Sequence, residues 1–209
     1  MFPIGSYERL YYDILKRYKE YTNTEYVTFG ILIADPRQTE AREYILNYLD
    51  IFNRESGKFF DFFIPGYFQE FYESDYNIQV GNITYGFNVK LFNEFCNNLK
   101  NDFDIQYTFN PMLILMSMPK GDKNRAQFVI IELDDYNDYG IRRSGELFLK
   151  IFSIAKADNR LCEINNELRN TYIKGNAIES IINAIGSDWL SEITKKTKEI
   201  NRYKIKRRI

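Results

Sequence analysis

Histidine does not occur anywhere in the 209 residues, and cysteine occurs only twice, at Cys96 and Cys162. The first absence removes the usual general base near neutral pH and the commonest transition-metal ligand. Ser-His-Asp and Cys-His catalysis are therefore excluded. So is a His-bearing zinc site, and two thiols cannot supply an all-cysteine one. The two cysteines lie 66 positions apart, each inside a helical pattern, and read as reduced packing residues rather than a disulfide. Long apolar runs are also missing. Even PMLILMSMP, residues 111–119, is bounded by prolines and falls short of the roughly 18–20 residues of a membrane span. The N-terminus, MFPIGSYERLYYDILKRY, has no basic cluster leading into a hydrophobic core. It does not read as a signal peptide, so the expectation is a cytoplasmic chain with no membrane partner. Any enzyme built from this sequence has to work with carboxylates, Lys, Arg, Tyr or Ser.

What is present in excess is aromatic. Seventeen Tyr and seventeen Phe stand in a chain that is 44% hydrophobic and 27% charged, a globular composition with unusually many rings. Rings supply large buried areas and also adhesive surfaces. The length suits one domain with appendages and is enough to bury a sizeable core.

Periodicity divides the chain. Ser6 is placed to cap a first helix with Leu10, Tyr11, Ile14, Leu15 and Tyr18 on one face, an N-terminal appendage over 1–22. Tyr26 to Ala34 is β-branched and nearly continuous in apolar residues, as in a strand covered on both faces. Asp35, Pro36 and Gln38 have the spacing of a capping box, which predicts a helix with Ala41, Tyr44, Ile45, Tyr48, Leu49 and Phe52 inward, stopped at Ser56-Gly57. The strand Lys58 to Ile64 follows, and this strand, helix, strand crossover predicts parallel neighbours. Residues 67–87 are irregular and read as an insertion, with a short strand or hairpin between Gly81 and Gly86. Phe92, Cys96, Leu99 and Phe103 then mark a second helix over 88–103.

The stretch YTFNPMLILMSMPKGDKNRAQFVIIELDD, residues 107–135, is a strand opened by Pro111, a polar loop and a returning strand. The helix after it begins at Ser144 and carries Leu147, Phe148, Ile151, Phe152 and Ala155 on one face. From Tyr26 onward the order is strand, helix, strand, insertion, helix, strand, strand, helix. Over residues 26–157 this order resembles the thioredoxin-like superfamily. The resemblance implies an α/β fold, a central mixed sheet flanked by helices. It makes Pro111 the counterpart of the proline, usually cis, that precedes the third strand and faces the redox motif. Where redox members carry Cys-x-x-Cys, this chain reads Ala34-Asp35-Pro36-Arg37-Gln38, without a sulfur nucleophile. The reading is thus a redox-inactive member with no catalytic residue, no cofactor and no metal.

Beyond Asn159 the pattern is helical without strands, an expected C-terminal helical extension over 159–209. Asn176 and Glu179 form another capping box, and Ser187 is placed to cap a final helix bearing Trp189, Leu190, Ile193 and Ile200. The last twenty residues hold Lys195, Lys196, Lys198, Arg202, Lys204, Lys206, Arg207 and Arg208 against Glu192 and Glu199. That tail is +6, which leaves −7 on the other 189 residues.

Four places invite function. Asp35 and Arg37 stand at an expected helix N-terminus, where an arginine beside free amides suits a carboxylate or phosphate, a small-ligand sensor. Asn110 and Pro111 stand where an extended partner would pair. The acids Glu132, Asp134, Asp135 and Asp138 offer oxygen ligands to Mg2+ or Ca2+, as a metal-dependent phosphodiesterase or nuclease would need. The basic tail suits a protein partner, self-association, or nucleic acid held by residues 190–209. The leading expectation is a binding or assembly module, with the metal-dependent enzyme and the ligand sensor as alternatives.

Overall fold

The computed structural model describes residues 2–20, 26–56, 60–69, 74, 76–119, 122–133, 141–157, 160–172 and 204–208. The chain opens with β1 (Phe2–Ile4) and α1 (Tyr7–Glu20). Ser6 caps α1 as its position suggests, its Oγ accepting the Arg9 N–H at 3.2 Å. β2 (Tyr26–Ile33) follows, then α2 (Thr39–Tyr44), a 3-10 turn at Leu46–Tyr48, α3 (Leu49–Ser56) and β3 (Asp61–Pro65). The segment read as an insertion folds as β4 (Tyr67–Phe68), β5 (Asn77–Val80) and β6 (Ile83–Phe87), a small sheet in the order β4-β6-β5. After it come α4 (Val89–Phe103), β7 (Met112–Pro119), β8 (Gln127–Glu132), α5 (Ser144–Ala157), α6 (Leu161–Tyr172) and β9 (Lys204–Arg208).

The main sheet is mixed and six-stranded, in the order β1-β3-β2-β7-β8-β9. β1, β3 and β2 run parallel, whereas β2, β7, β8 and β9 are antiparallel in succession. The chain is therefore α/β, with a mixed sheet flanked by helices. Among the described residues no helix is long and apolar enough to cross a membrane.

Side-chain alternation distributes the aromatic residues between two layers. On one face Phe62 of β3 packs edge-on against Phe148 and Phe152 of α5, which themselves contact Phe52 of α3. On the other face Phe63 meets Phe29 of β2 and Phe2 of β1, and Phe128 of β8 meets Phe103 of α4. α1 docks on α4, where Tyr7 stacks edge-on against Phe95 and donates a 3.0 Å hydrogen bond to Asp102 Oδ2. β7 is buried along its whole length, so its side chains have no solvent face.

Four features depart from the sequence reading. The helix predicted from Asp35 to Phe52 is broken, because Ile45 leaves helical geometry (φ −123°, ψ −64°) and the chain restarts through the 3-10 turn. The capping box does not form. α2 begins only at Thr39, its N-cap Gln38 makes no side-chain cap, and the Asp35 carboxylate is engaged elsewhere. The N-terminal appendage contributes β1 as well as a helix. Three residues carry too little periodicity to be read, and Pro3 fits there because β1 lies at the sheet edge. Finally, the predicted final helix is not helical at its end, since residues 204–208 form β9. Asn176, Glu179, Ser187, Trp189, Leu190, Ile193 and Ile200, which carry the rest of that helical reading, lie outside the described residues.

Gly30 sits in the middle of β2, opposite Phe62 in register. A Cβ there would lie 2.4 Å from the Phe62 ring, which Phe60, Phe148 and Phe152 hold in place. Gly30→Ala is expected to cost about 1–3 kcal/mol through overpacking. Urea denaturation measures it, and an unchanged midpoint would show that the Phe62 ring has room to move.

Candidate functional site

The C-terminal end of β2 delivers Ala34 and Asp35 into the interior, and Asp35 is only 2% exposed. A buried carboxylate has to be paired and hydrogen-bonded to remain charged. Arg37 provides this from two positions along the chain. Its backbone N–H reaches Asp35 Oδ1 at 3.0 Å, its Nε lies 2.9 and 3.0 Å from the two oxygens, and its Nη2 lies 2.5 Å from Oδ2. The hydrogen bond to Asp35 raises the Arg37 pKa above its ordinary value. The guanidinium is thereby neutralised within its own turn, although its side chain keeps 43% exposure. An external carboxylate or phosphate would have to compete with Asp35 for the same fork.

The junction before β7 lies against this turn. The Gln38 side-chain amide donates to the Phe109 carbonyl, and the Tyr107 hydroxyl donates to the same oxygen at 3.3 Å. Asn110 is exposed and Pro111 is buried. The structure thus brings the expected Asp35–Arg37 and Asn110–Pro111 positions to one end of the sheet. The cis bond implied for Pro111 is not found, since every described peptide is trans. Pro111 instead fixes register, its carbonyl accepting the Leu133 N–H at 2.7 Å.

Phe109 is the residue that sequence reasoning missed. It is 72% exposed and its backbone is left-handed, with φ +66°. No periodic pattern marks such a position, and only the neighbouring Asn110-Pro111 hints at a turn. Its ring ends a file that runs inward through Tyr107, Phe92, Phe87 and Tyr67, with centroid spacings of 5.7, 5.4, 5.4 and 5.1 Å. The Tyr67 hydroxyl at the inner end is buried without a hydrogen-bond partner among the described residues. Burial, and then the charge of Asp35, raise the pKa values of Tyr67, Tyr107 and Cys96, the last to about 12. A thiol held neutral in this way is a packing group and a poor nucleophile.

A cavity of about 280 Å³ adjoins the turn at Pro36 and runs between Arg42, Leu46 and Asp50 on the helical side and Tyr76 and Gln79 beside β5. It is smaller than the roughly 300–1,000 Å³ usual for small-molecule sites. Arg42 is already occupied, donating to the Pro36 carbonyl at 2.5 Å and lying over the Tyr76 ring at 5.7 Å.

The remaining expected sites are only partly described. Of the acidic cluster, Glu132 ends β8, mostly buried, between Met112 of β7 and Lys204 of β9 in register. Asp134, Asp135 and Asp138 lie outside the described residues, as do Lys195, Lys196, Lys198 and Arg202 of the tail. Among the described residues no three Asp, Glu or Cys side chains gather as metal ligands. Lys204, Lys206, Arg207 and Arg208 are residues of β9, so they extend the sheet instead of a helix. The chain matches no family model, no curated protein and no solved structure.

The buried thiol and phenols give a pH dependence. In the unfolded chain the Cys96 thiol loses its proton near 9.0, whereas in the folded protein it does so near 12. The unfolded state ionises first, so stability is intact below pH 9 and falls between pH 9 and 12. Tyr7, Tyr67 and Tyr107, each raised from 10.0, act in the same direction above pH 10. The urea midpoint is expected to be flat from neutrality to pH 9 and then to drop. In a Cys96→Ala chain the drop between pH 9 and 10 should be shallower, and an identical drop would remove Cys96 as its cause.

Proposed function

We infer that this chain is a redox-inactive, thioredoxin-like binding module that holds a protein partner at the junction of Asp35–Gln38 with Tyr107–Pro111. Element order supports the thioredoxin-like reading: strand, helix, strand, then helix, two antiparallel strands and helix around a mixed sheet. The place where that resemblance implies a dithiol holds an Asp-Arg pair, which has no redox chemistry.

The observation that carries the binding reading is Phe109. A left-handed backbone costs a non-glycine residue roughly 1–2 kcal/mol. A ring left 72% exposed recovers little from burial in return. A chain that keeps both costs at one residue gains from it outside its own fold, since strained backbone concentrates at binding and catalytic sites. An exposed aromatic whose carbonyl is bonded by Gln38, next in the chain to the half-exposed Arg37, also has the composition of an interface anchor.

Phe109→Gly separates the two roles. It should stabilise the free protein by about 0.5–1 kcal/mol, because glycine accepts positive φ without strain. The same substitution should abolish retention of the partner when tagged wild-type and variant chains are used side by side for nuclease-treated affinity capture from the source cells. Capture that is equal for wild type, Phe109→Gly and Arg37→Ala would overturn this reading.

A further inference from the structure

β8 is apolar on both faces, and five of its six residues are buried. Its hydrogen-bonding alternation is set by the Leu133 N–H bonding the Pro111 carbonyl. In an antiparallel ladder the pairs alternate, so Val129 and Ile131 direct their N–H and C=O groups toward β7. Phe128, Ile130 and Glu132 direct theirs to the opposite side. Left open, that side would be a long, apolar strand edge of the kind that templates aggregation. β9 closes it, setting Lys204 against Glu132, Lys206 against Ile130 and Arg208 against Phe128.

β9 differs from every other strand of the main sheet. Four of its five residues, Lys-Ile-Lys-Arg-Arg, are basic. Among the described elements β8 is the only one it contacts extensively. α5 and α6 stand between β8 and β9 in the chain, so β9 is not joined to the strand it covers by a hairpin. The rest of the chain carries the opposite net charge, and the edge ends at a carboxylate, Glu132.

We propose that the outer edge of β8 is a strand-docking site, that residues 204–208 are its resident occupant and open without the rest of the fold, and that an extended, lysine- and arginine-rich strand of a partner protein pairs there in their place. Main-chain hydrogen bonds to Phe128, Ile130 and Glu132 give such a strand its affinity, and the basic residues fit the acidic body of the protein. Attachment to the same chain gives β9 an effective concentration that an incoming strand has to exceed. The intact protein is therefore closed by default, and this surface is distinct from the Phe109 junction.

Lys206 pairs with Ile130 through its own N–H and C=O, so Lys206→Pro in the full chain removes a ladder bond and loosens β9. The probe is a fluorescein-labelled peptide of residues 201–209, NRYKIKRRI, followed by fluorescence anisotropy. The Lys206→Pro protein should bind it at least tenfold more tightly than wild type, and a peptide carrying the same proline should not bind. Equal binding by the two proteins, or equal binding of the two peptides, would overturn the proposal, the latter by showing that charge alone is read. Hydrogen exchange on the wild-type chain tests opening without any substitution. The amides of Phe128, Ile130 and Glu132 should exchange at least tenfold faster than those of Val129 and Ile131. Equal protection of the two sets would show that β9 opens only with the whole sheet.

Discussion

Covering β2, β7 and β8 on both faces places a demand on every backbone group in the centre of this molecule. A buried N–H or C=O without a partner costs about as much as a lost hydrogen bond, so strands out of reach of water have to be matched on both sides. The eight-residue pairing of β2 with β7 meets that demand at the middle of the sheet. It then passes the requirement outward, to β3 on one flank and to β8 on the other. The flanks are closed by short strands from the two ends of the chain, β1 and β9, each of them a poor core strand by composition. Pro3 and the basic residues of 204–208 are tolerated because an edge has one side free of pairing. The central apolar runs thus determine where the termini have to go.

This dependence explains which elements were legible in the sequence. β2, β7, β8, α4 and α5 were visible because their own side chains carry the signal: continuous apolar runs for strands covered on both faces, and Phe92, Cys96, Leu99 and Phe103 at helical spacing for α4. β1 and β9 were not visible, because what makes them strands is the neighbour they pair with. Lys-Ile-Lys-Arg-Arg has no pattern of its own and takes extended geometry from β8. The helix after β2 failed for a different reason. Asp35 has the residue type and spacing of an N-cap, but at 2% exposure its first obligation is charge compensation, and Arg37 meets it. With the cap spent on a salt bridge, the chain delays its helix to Thr39.

The candidate site was half readable in the same sense. Asp35, Arg37, Asn110 and Pro111 were named from two separate segments, and the Gln38–Phe109 contact joins them. Nothing in one-dimensional spacing announces that contact, since its partners are 71 positions apart. The unusual backbone of Phe109 is equally silent in sequence, because a phenylalanine in a turn looks like any other apolar residue. Long-range placement sets both features.

Aromatic abundance, the strongest compositional signal, had suggested surface adhesion as much as core. Packing consumes most of the phenylalanines: Phe29, Phe52, Phe62, Phe63, Phe92, Phe95, Phe148 and Phe152, among others, are buried in ring-to-ring contact within the two layers. A ring count therefore says little about binding in this chain. The same rings do set the geometry of the Phe109 loop. Because Tyr107 and Phe92 are packed edge-on, with centroids 5.4 Å apart and planes at 86°, the loop that bears Phe109 rests on an immobilised aromatic floor. Its Phe109 carbonyl is further pinned by Gln38 and Tyr107. Left-handed geometry at a bulky residue persists only when its surroundings over-determine it. The packed file of rings and the two bonds to the Phe109 carbonyl provide that determination.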